Sequence, residues 1–347
     1  MIRLALLLAA LLLFVPVARA ASFDCAKAGT SFEQAICASP DASKADEVLA
    51  QAYATSLGGL SKHAADTLKA TQHDWLGYAA RVCSDDAQPI AGDYTDDQTQ
   101  CLISTFKERI KALEASRMLG GYRFYPWERY LVEQDTDATS DSFNKVATKH
   151  FETIKIDSSD DVAAAFNAMT EDMRLRDDVQ IGEDSHLFDK GGDSLTLGDT
   201  SSDIEVTTTV KSVTTYRITL TTETYWYGHG AAHGNYGASY DHFLVGEKRP
   251  LKAGDIFAGK GWQTTFGGLV LDKLKTDLGE DYQGDTDENV AATAADPSRW
   301  DFSSEGLIVN FNPYEVAAYA RGTVSVTIPW TALTDLLAEH AEEIATY

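Results

Sequence analysis

The stretch Tyr225-Trp226-Tyr227-Gly228-His229-Gly230-Ala231-Ala232-His233-Gly234-Asn235-Tyr236, here named the histidine corner, combines aromatics, glycines and two histidines. Before it, residues 203–224 are mostly Val, Ile, Thr and Tyr in near alternation, the composition of strands with one solvated face. Glycine adopts backbone conformations that other residues avoid, so three glycines allow the chain to turn sharply. The pattern predicts a strand that ends at this corner and a further strand beyond it, near 239–245.

The histidines of the corner, His229 and His233, belong to the residue type that most often binds zinc. Their spacing places both rings on one face only in a helix, and a glycine-rich segment after a strand is not expected to be helical. The prediction is a structural turn whose histidines hydrogen-bond to neighbouring backbone. We therefore expect no metal and no cofactor.

Residues 1–20 have the pattern of a secretory signal peptide, with Arg3, an apolar run over 4–17, and small residues at Ala18 and Ala20 before the expected cleavage site. The apolar run is short for a bilayer span, and no other stretch is long enough to be one. The mature chain is therefore expected to be periplasmic or secreted and not membrane-spanning.

The sequence has 53 acidic and 29 basic residues, which gives a formal net charge of −24 at pH 7. Such a surface repels nucleic acid and anionic lipid, so neither is a predicted partner. It attracts basic proteins at long range, although an acidic surface can also serve solubility alone. The charge is compatible with both interpretations.

All four cysteines, Cys25, Cys37, Cys83 and Cys101, lie in the first third of the chain. In an exported protein, an even number of cysteines predicts disulfides. Four cysteines allow three pairings, and the sequence alone does not choose among them. We favour Cys25 with Cys37 and Cys83 with Cys101, because the second pair would join the end of one helix to the start of the next.

The periodicity between the cysteines is helical. One face carries Leu102, Phe106, Ile110 and Leu113. Ser31 is placed to start a first helix, Gly58-Gly59 to end the second, and a polar loop at 85–97 precedes the last. The chain is longer than a single hydrophobic core usually supports, so two domains are expected. Residues 21–118 are predicted to form the first of them, an all-α domain held by disulfides.

Several motifs of this first domain occur together. They are Glu33-Gln34-Ala35-Ile36-Cys37, Leu49-Ala50-Gln51-Ala52-Tyr53, Gln72-His73-Asp74-Trp75-Leu76, Arg81-Val82-Cys83, and Cys101-Leu102 with Arg109-Ile110. With the four cysteines in register, they resemble the N-terminal domain of the LprI family of secreted bacterial proteins. That family takes its name from a lysozyme inhibitor, so the resemblance implies inhibition of lysozyme-type muramidases as an activity to test.

The next residues, 119–145, are predicted to be a linker region, because Gly120-Gly121 follows the last helix. Carboxylates recur within 135–141 and again within 277–288. Because the first of these segments lacks the central glycine and the distal glutamate of an EF-hand, we predict solvated loops in both places rather than calcium sites.

The second domain is predicted to span residues 146–347. Strands are expected at 147–156, twice within 204–227, near 239–245, at 307–311 and at 323–328, and helices at 160–174, 262–278 and 330–344. Most strands follow one another with no helix between them. This order favours an α+β fold with a mainly antiparallel sheet and packed helices over a doubly wound parallel sheet.

A second resemblance spans residues 145–340. It is carried by Gly228-His229-Gly230-Ala231-Ala232-His233-Gly234, by Val245-Gly246-Glu247-Lys248 with Asp255-Ile256-Phe257, and by Phe311-Asn312-Pro313-Tyr314-Glu315-Val316-Ala317 with Tyr319-Ala320. These motifs resemble the RsiV-like extracellular domain, the lysozyme-sensing part of a membrane-bound anti-sigma factor. The resemblance implies a lysozyme-binding surface, although no transmembrane segment is predicted here.

The segment around Tyr314 is the candidate binding surface. Pro313 fixes its own φ, and Tyr314 offers a rigid amphipathic ring at small entropic cost. The predicted binding residues are Pro313, Tyr314, Glu315, Tyr227, His229 and His233. In the alternative interpretation, Tyr314 and Tyr319 only pack on a sheet edge.

The leading functional hypothesis is an exported cell-envelope protein that binds or inhibits a basic lysozyme-type muramidase, with no catalytic residues. One alternative is a structural or sensory envelope module with a different protein partner. Another is a metal-dependent hydrolase that uses His229 and His233. The hydrolase would need a third ligand and an open position for water, and the sequence has no His-Glu-x-x-His or Gly-x-Ser-x-Gly pattern.

Overall fold

The computed structural model of the protein describes residues 21–173, 187–188, 195 and 200–346. The expected signal peptide, residue 174 at the predicted helix end, and most of the acidic loop that follows lie outside these ranges. Within the described ranges, no helix has both the length and the apolar character needed to cross a membrane.

The N-terminal region, residues 21–116, is helical. Its helices are α1 (Ser31–Ala38), α2 (Pro40–Leu57), α3 (Lys62–Ala79) and α4 (Asp96–Glu114). Each begins after a Ser or Thr whose side chain accepts a hydrogen bond from a backbone N–H of the first turn. The apolar faces of the helices meet around Trp75 and Phe106, which are almost fully buried.

Two disulfides join parts of this region. Cys25 is bonded to Cys37, and Cys83 to Cys101. The second disulfide ties the turn after α3 to the first half of α4. The favoured pairing and the helical character of the region are confirmed.

Seven strands form one sheet, and they lie side by side in chain order. They are β1 (Met118–Leu119), β2 (Tyr122–Gln134), β3 (Val146–Ile156), β4 (Ser202–Val213), β5 (Arg217–Gly228), β6 (Asn235–Leu244) and β7 (Arg249–Pro250). Strands β3 and β4 are parallel, and α5 (Asp161–Asp172) lies in the crossover between them. The other neighbouring pairs are antiparallel, so the predicted α+β fold with a mainly antiparallel sheet is confirmed.

Residues 119–145, expected to be a linker region, contain the whole of β2. This strand pairs residue by residue with β3, from Phe124 opposite Ile156 to Gln134 opposite Val146. Tyr130 of β2 also packs against the helical core. Burial of aromatic side chains on both the helices and the sheet explains why this stretch is a strand rather than a free connection.

The C-terminal part adds a three-stranded antiparallel sheet and several helices. The strands are β8 (Trp300–Phe302), β9 (Gly306–Phe311) and β10 (Val324–Pro329), and the helices are α6 (Ala253–Ile256), α7 (Trp262–Leu278), α8 (Asp287–Ala294), α9 (Trp330–Leu333) and α10 (Ala341–Ala345). Phe257, Phe266 and Trp300 lie at the centre of its core.

The helix predicted for residues 330–344 is not continuous. It is divided into α9, a 3-10 turn and α10. Leu337 has extended backbone and bridges to Phe257, and the Ala338 N–H donates to the Ile256 carbonyl. The prediction of one helix was wrong because these contacts with the core replace the helical hydrogen bonds.

Candidate functional site

Four tyrosines meet at one end of the large sheet, and we call them the tyrosine cluster: Tyr225, Tyr236, Tyr314 and Tyr319. Tyr225 on β5 lies directly opposite Tyr236 on β6. The Tyr319 ring lies 5.9 Å from the Tyr236 ring and 5.4 Å from the Tyr314 ring. Tyr225, Tyr236 and Tyr314 are 42%, 39% and 58% exposed, so the cluster presents a broad aromatic surface.

The histidine corner supports this cluster. The Tyr319 hydroxyl donates to the Gly234 carbonyl at 2.8 Å, and the His233 ring stacks on the Tyr319 ring with centroids 4.1 Å apart. A Cβ atom at Gly234 would collide with the end of the Tyr225 ring, so glycine allows this ring to lie directly against the backbone. The corner and the loop after β9 therefore form one surface, although about 80 residues of chain separate them.

Tyr314 has a strained backbone. Its φ of 72° lies in the left-handed region, which costs a residue with a side chain about 1–3 kcal/mol. The loop holds this conformation through two hydrogen bonds, from the Glu315 N–H to the Asn312 carbonyl at 3.2 Å and from the Asn312 N–H to the Glu315 carboxylate at 2.7 Å. The hydrogen-bonded turn therefore holds the Tyr314 ring out toward solvent.

The neighbours of Tyr314 are less available than expected. Pro313 is buried and supports the loop from inside. The Glu315 carboxylate accepts from both terminal nitrogens of Arg299, at 3.2 and 2.7 Å. The Glu315 carboxylate is thus already bonded within the loop and to Arg299. Of the three residues 313–315, Tyr314 is the one whose side chain is free to contact a partner.

The two corner histidines have separate environments. His233 is exposed, and its Nδ1 lies 2.9 Å from the Gly234 carbonyl, a neighbouring backbone group as predicted. His229 Nε2 instead lies 3.3 Å from the Asp203 carboxylate. Tyr227 is half-buried and its hydroxyl donates to the Ala231 carbonyl at 3.4 Å. Among the described residues, neither histidine belongs to a group of three or more side chains that could hold a metal.

A buried polar cluster lies elsewhere on the same sheet, and no sequence motif predicted it. We call the residues Arg109, Glu128, His150 and Glu152 the junction cluster, because Arg109 is on α4 and the others are on β2 and β3. The Arg109 Nη1 donates to the Glu128 carboxylate, and its Nε donates to Gln72 Oε1 on α3 at 2.9 Å. Arg109, Glu128 and Glu152 are 1%, 0% and 4% exposed.

The charges of the junction cluster are tightly linked. Burial raises the pKa of the Glu152 carboxyl, and the nearby negative charge of Glu128 raises it further. Burial acts in the same direction on Glu128, but the Arg109 guanidinium, His150 and the Tyr130 hydroxyl together outweigh it and lower the pKa of that carboxyl. Burial disfavours the charged His150 ring, yet Glu128 and Glu205 raise the pKa of His150 to about 9. Glu128, His150 and Glu152 have the composition and proximity of a metal-binding group.

One row of side chains connects the two sites. Tyr130, His150, Glu205, Tyr225 and Tyr236 are successive register partners on β2 to β6. Direct partners in a sheet point to the same face, at about 4.8 Å per strand. The junction cluster and the tyrosine cluster therefore share one face of the sheet.

Two family models match separate parts of the chain. Residues 24–113 match the family "Lysozyme inhibitor LprI", and residues 254–331 match "Protein of unknown function (DUF3298)". The resemblance of the first domain to the LprI family is confirmed. The C-terminal match is to DUF3298, and the RsiV-like assignment is not confirmed. Neither match covers half of the chain.

Two solved structures of DUF3298 proteins are similar to this chain. One, from Bacteroides fragilis NCTC 9343, is 17% identical with a TM-score of 0.46, and the match covers 66% of this chain and 98% of the other. The second, from Pseudomonas aeruginosa PAO1, is 13% identical with a TM-score of 0.45, over 65% of this chain and 98% of the other. A search of curated proteins found no match.

Proposed function

We propose that this protein is an exported, non-catalytic binding protein that recognises a lysozyme-type muramidase through the tyrosine cluster. The observation that carries the proposal is the exposed Tyr314 ring, held at positive φ beside three other tyrosines. Strained residues persist where the surrounding structure over-determines them, and they concentrate at functional sites. Tyrosine is also enriched among the residues that dominate binding energy at protein interfaces.

The match of residues 24–113 to a lysozyme inhibitor family supports the choice of partner. The net charge of −24 also suits a basic protein, because opposite charge accelerates encounter. Burial and the three neighbouring phenols raise the pKa of Tyr319, so this phenol stays uncharged near neutral pH. In this proposal the charge steers the partner and the aromatic surface binds it.

The test is a calorimetric titration of the full chain with lysozymes of several classes, together with a cell-wall turbidity assay for inhibition. Tyr314→Ala should weaken binding by about 2 kcal/mol, a thirtyfold loss of affinity, because it removes a central aromatic contact. The matched control is Tyr216→Ala. Tyr216 is 41% exposed but lies in the turn between β4 and β5, far along β5 from Tyr225, and its loss should leave affinity unchanged.

Four results separate the hypotheses. Binding without inhibition would make the protein a sensor or a carrier, whereas binding with inhibition would make it an inhibitor. If lysozyme binds and Tyr314→Ala binds equally well, the helical region becomes the better candidate surface. If no lysozyme binds, the muramidase assignment is wrong and the partner is a different protein.

A further inference from the structure

We propose that Glu128, His150 and Glu152 form a binding site for a divalent transition-metal ion such as Zn²⁺. Their candidate ligand atoms all lie within 4.8 Å of one another. Glu128 and Glu152 are register partners on β2 and β3, and His150 lies two residues before Glu152 on the same face. One imidazole and two carboxylates are ligands that zinc accepts at about 2.0–2.2 Å, and three protein ligands leave a fourth position for water.

The His150 ring supplies an independent sign of a missing ligand. Its Nε2 is buried and has no hydrogen-bond partner, and it lies 3.6 Å from Glu128 Oε1, beyond normal hydrogen-bond distance. An unsatisfied buried polar atom destabilises a fold, and a bound metal ion would satisfy this one. The ring is fixed in place because it stacks on Tyr130 with centroids 4.5 Å apart.

The groups around the ligands fit an outer coordination shell. Metal-bound histidines usually direct their second nitrogen to a carboxylate or carbonyl, and His150 Nδ1 lies 3.8 Å from the Glu205 carboxylate. Arg109 donates to Oε2 of Glu128, and the Tyr130 hydroxyl donates to Oε1, the oxygen on the side of His150. Ligating carboxylates are commonly held in this way.

The charge balance favours a cation once His150 binds it as a neutral ring. Glu128, Glu152 and Glu205 then bring three carboxylates to the cluster, and Arg109 brings one guanidinium. Metal ligands bind in their deprotonated forms, so a divalent ion would take the place of the protons on His150 and Glu152. Because Arg109 and Gln72 belong to the helical region, an ion bound to Glu128 would also strengthen the contact between that region and the sheet.

The experiment uses the full mature chain, stripped with a chelator and titrated with ZnCl₂ in a calorimeter, with bound metal counted by elemental analysis. We expect one zinc per chain and a rise in Tm on loading. His150→Phe keeps the stack on Tyr130 but removes the nitrogen, and Glu152→Gln keeps the shape but removes the charge. Both variants should lose stoichiometric zinc and the rise in Tm.

Two further variants make the result specific. Glu205→Gln changes only the outer contact to His150 and should weaken zinc binding about 10- to 100-fold. The double variant His229→Gln/His233→Gln removes both corner histidines and should bind zinc like the unaltered chain. Visible d–d bands of bound Co²⁺ report the ligand field without requiring any variant to fold. Absence of stoichiometric metal in the unaltered chain, or full zinc binding by folded His150→Phe and Glu152→Gln, would overturn the proposal.

Discussion

The junction cluster and the tyrosine cluster lie on one face of one sheet, yet they are built in opposite ways. The junction cluster is buried, and its ion pair joins α4 to β2. The tyrosine cluster is exposed and is built from a corner and a loop. Charged groups removed from water must be paired to be tolerated, whereas exposed aromatic rings keep apolar area available for a partner.

Because of this difference, we expect variants of the two clusters to change different properties of the protein, stability for one and binding for the other. Variants of the junction cluster should change the free energy of unfolding, because they leave a buried charge without its partner. Variants of the tyrosine cluster should change affinity with little loss of stability.

Arg109→Met should have the largest effect. It keeps an apolar stem beside Trp75 but leaves the Glu128 carboxylate buried without its cation. Breaking one side of a buried pair costs about 3–5 kcal/mol, measured here by chemical denaturation. The double variant Arg109→Met/Glu128→Gln should recover part of the loss.

The control for this variant is Arg321→Met, which removes a surface pair with Asp281 at 3.8 Å and should cost less than about 1 kcal/mol. Equal losses in Arg109→Met and Arg321→Met would mean that the junction pair does not hold the fold.

Acid should destabilise the protein through His242. Burial, with a further contribution from Arg217, lowers the pKa of His242 to about 3. The unfolded chain takes up this proton near pH 6.5 and the folded chain does not. Stability should therefore fall by about 1.4 kcal/mol for each pH unit between about 6.5 and 3 from this group alone.

His242→Gln can replace the ring's bond to the Trp300 carbonyl, at 3.1 Å, without titrating. The measurement is the slope of unfolding free energy against pH, which should become shallower in His242→Gln and stay unchanged in His233→Gln. Parallel slopes for all three proteins would contradict the assignment.

Much of the fold could be predicted from the sequence because its signals are local. Helical periodicity and turn signals placed the helices, and the even number of cysteines indicated two disulfides, whose pairing was a preference among three. Alternation of β-branched residues placed β4 and β5. Strand β2 was missed because Pro126 and the preceding glycines are typical of connections. Strand β2 forms because it pairs with β3 and packs against the helical core, and such long-range contacts cannot be recognised from the local sequence.

The candidate site was predictable in part for the same reason. The segment at Tyr314 and the histidine corner are each recognisable in the sequence, and the structure brings them together through Tyr319. The junction cluster depends on strand register, which no single stretch specifies. Gln72 and Arg109 stood out in the sequence only as members of motifs that resemble a family. Nothing there indicated that Gln72 accepts from Arg109 or that Arg109 pairs with Glu128.

Tyr314→Gly should raise the stability of the fold and lower the affinity for the partner. Glycine adopts positive φ without strain, so the variant should gain about 1 kcal/mol of stability while it loses the ring that we assign to binding. Thermal unfolding and lysozyme titration on the same preparation check both effects. A stability loss would show that the Tyr314 ring supports the fold rather than a partner.

The smallest effect should come from acids that steer but do not touch the partner. In the stretch 277–288, Asp277 and Asp287 pair with Lys273 and Lys275 at 2.6 and 2.7 Å, so the informative variant is Glu280→Gln/Glu288→Gln. Removing two charges from a net −24 should slow association by less than about threefold at low salt and leave the dissociation rate unchanged.

Stopped-flow association at two ionic strengths measures this effect. The difference between the variant and the unaltered chain should shrink at high salt, because the Debye length falls from about 10 Å at 0.1 M to about 3 Å at 1 M. A faster dissociation rate in this variant would place the 277–288 stretch inside the interface. The binding surface would then extend beyond the tyrosine cluster onto the loop between α7 and α8.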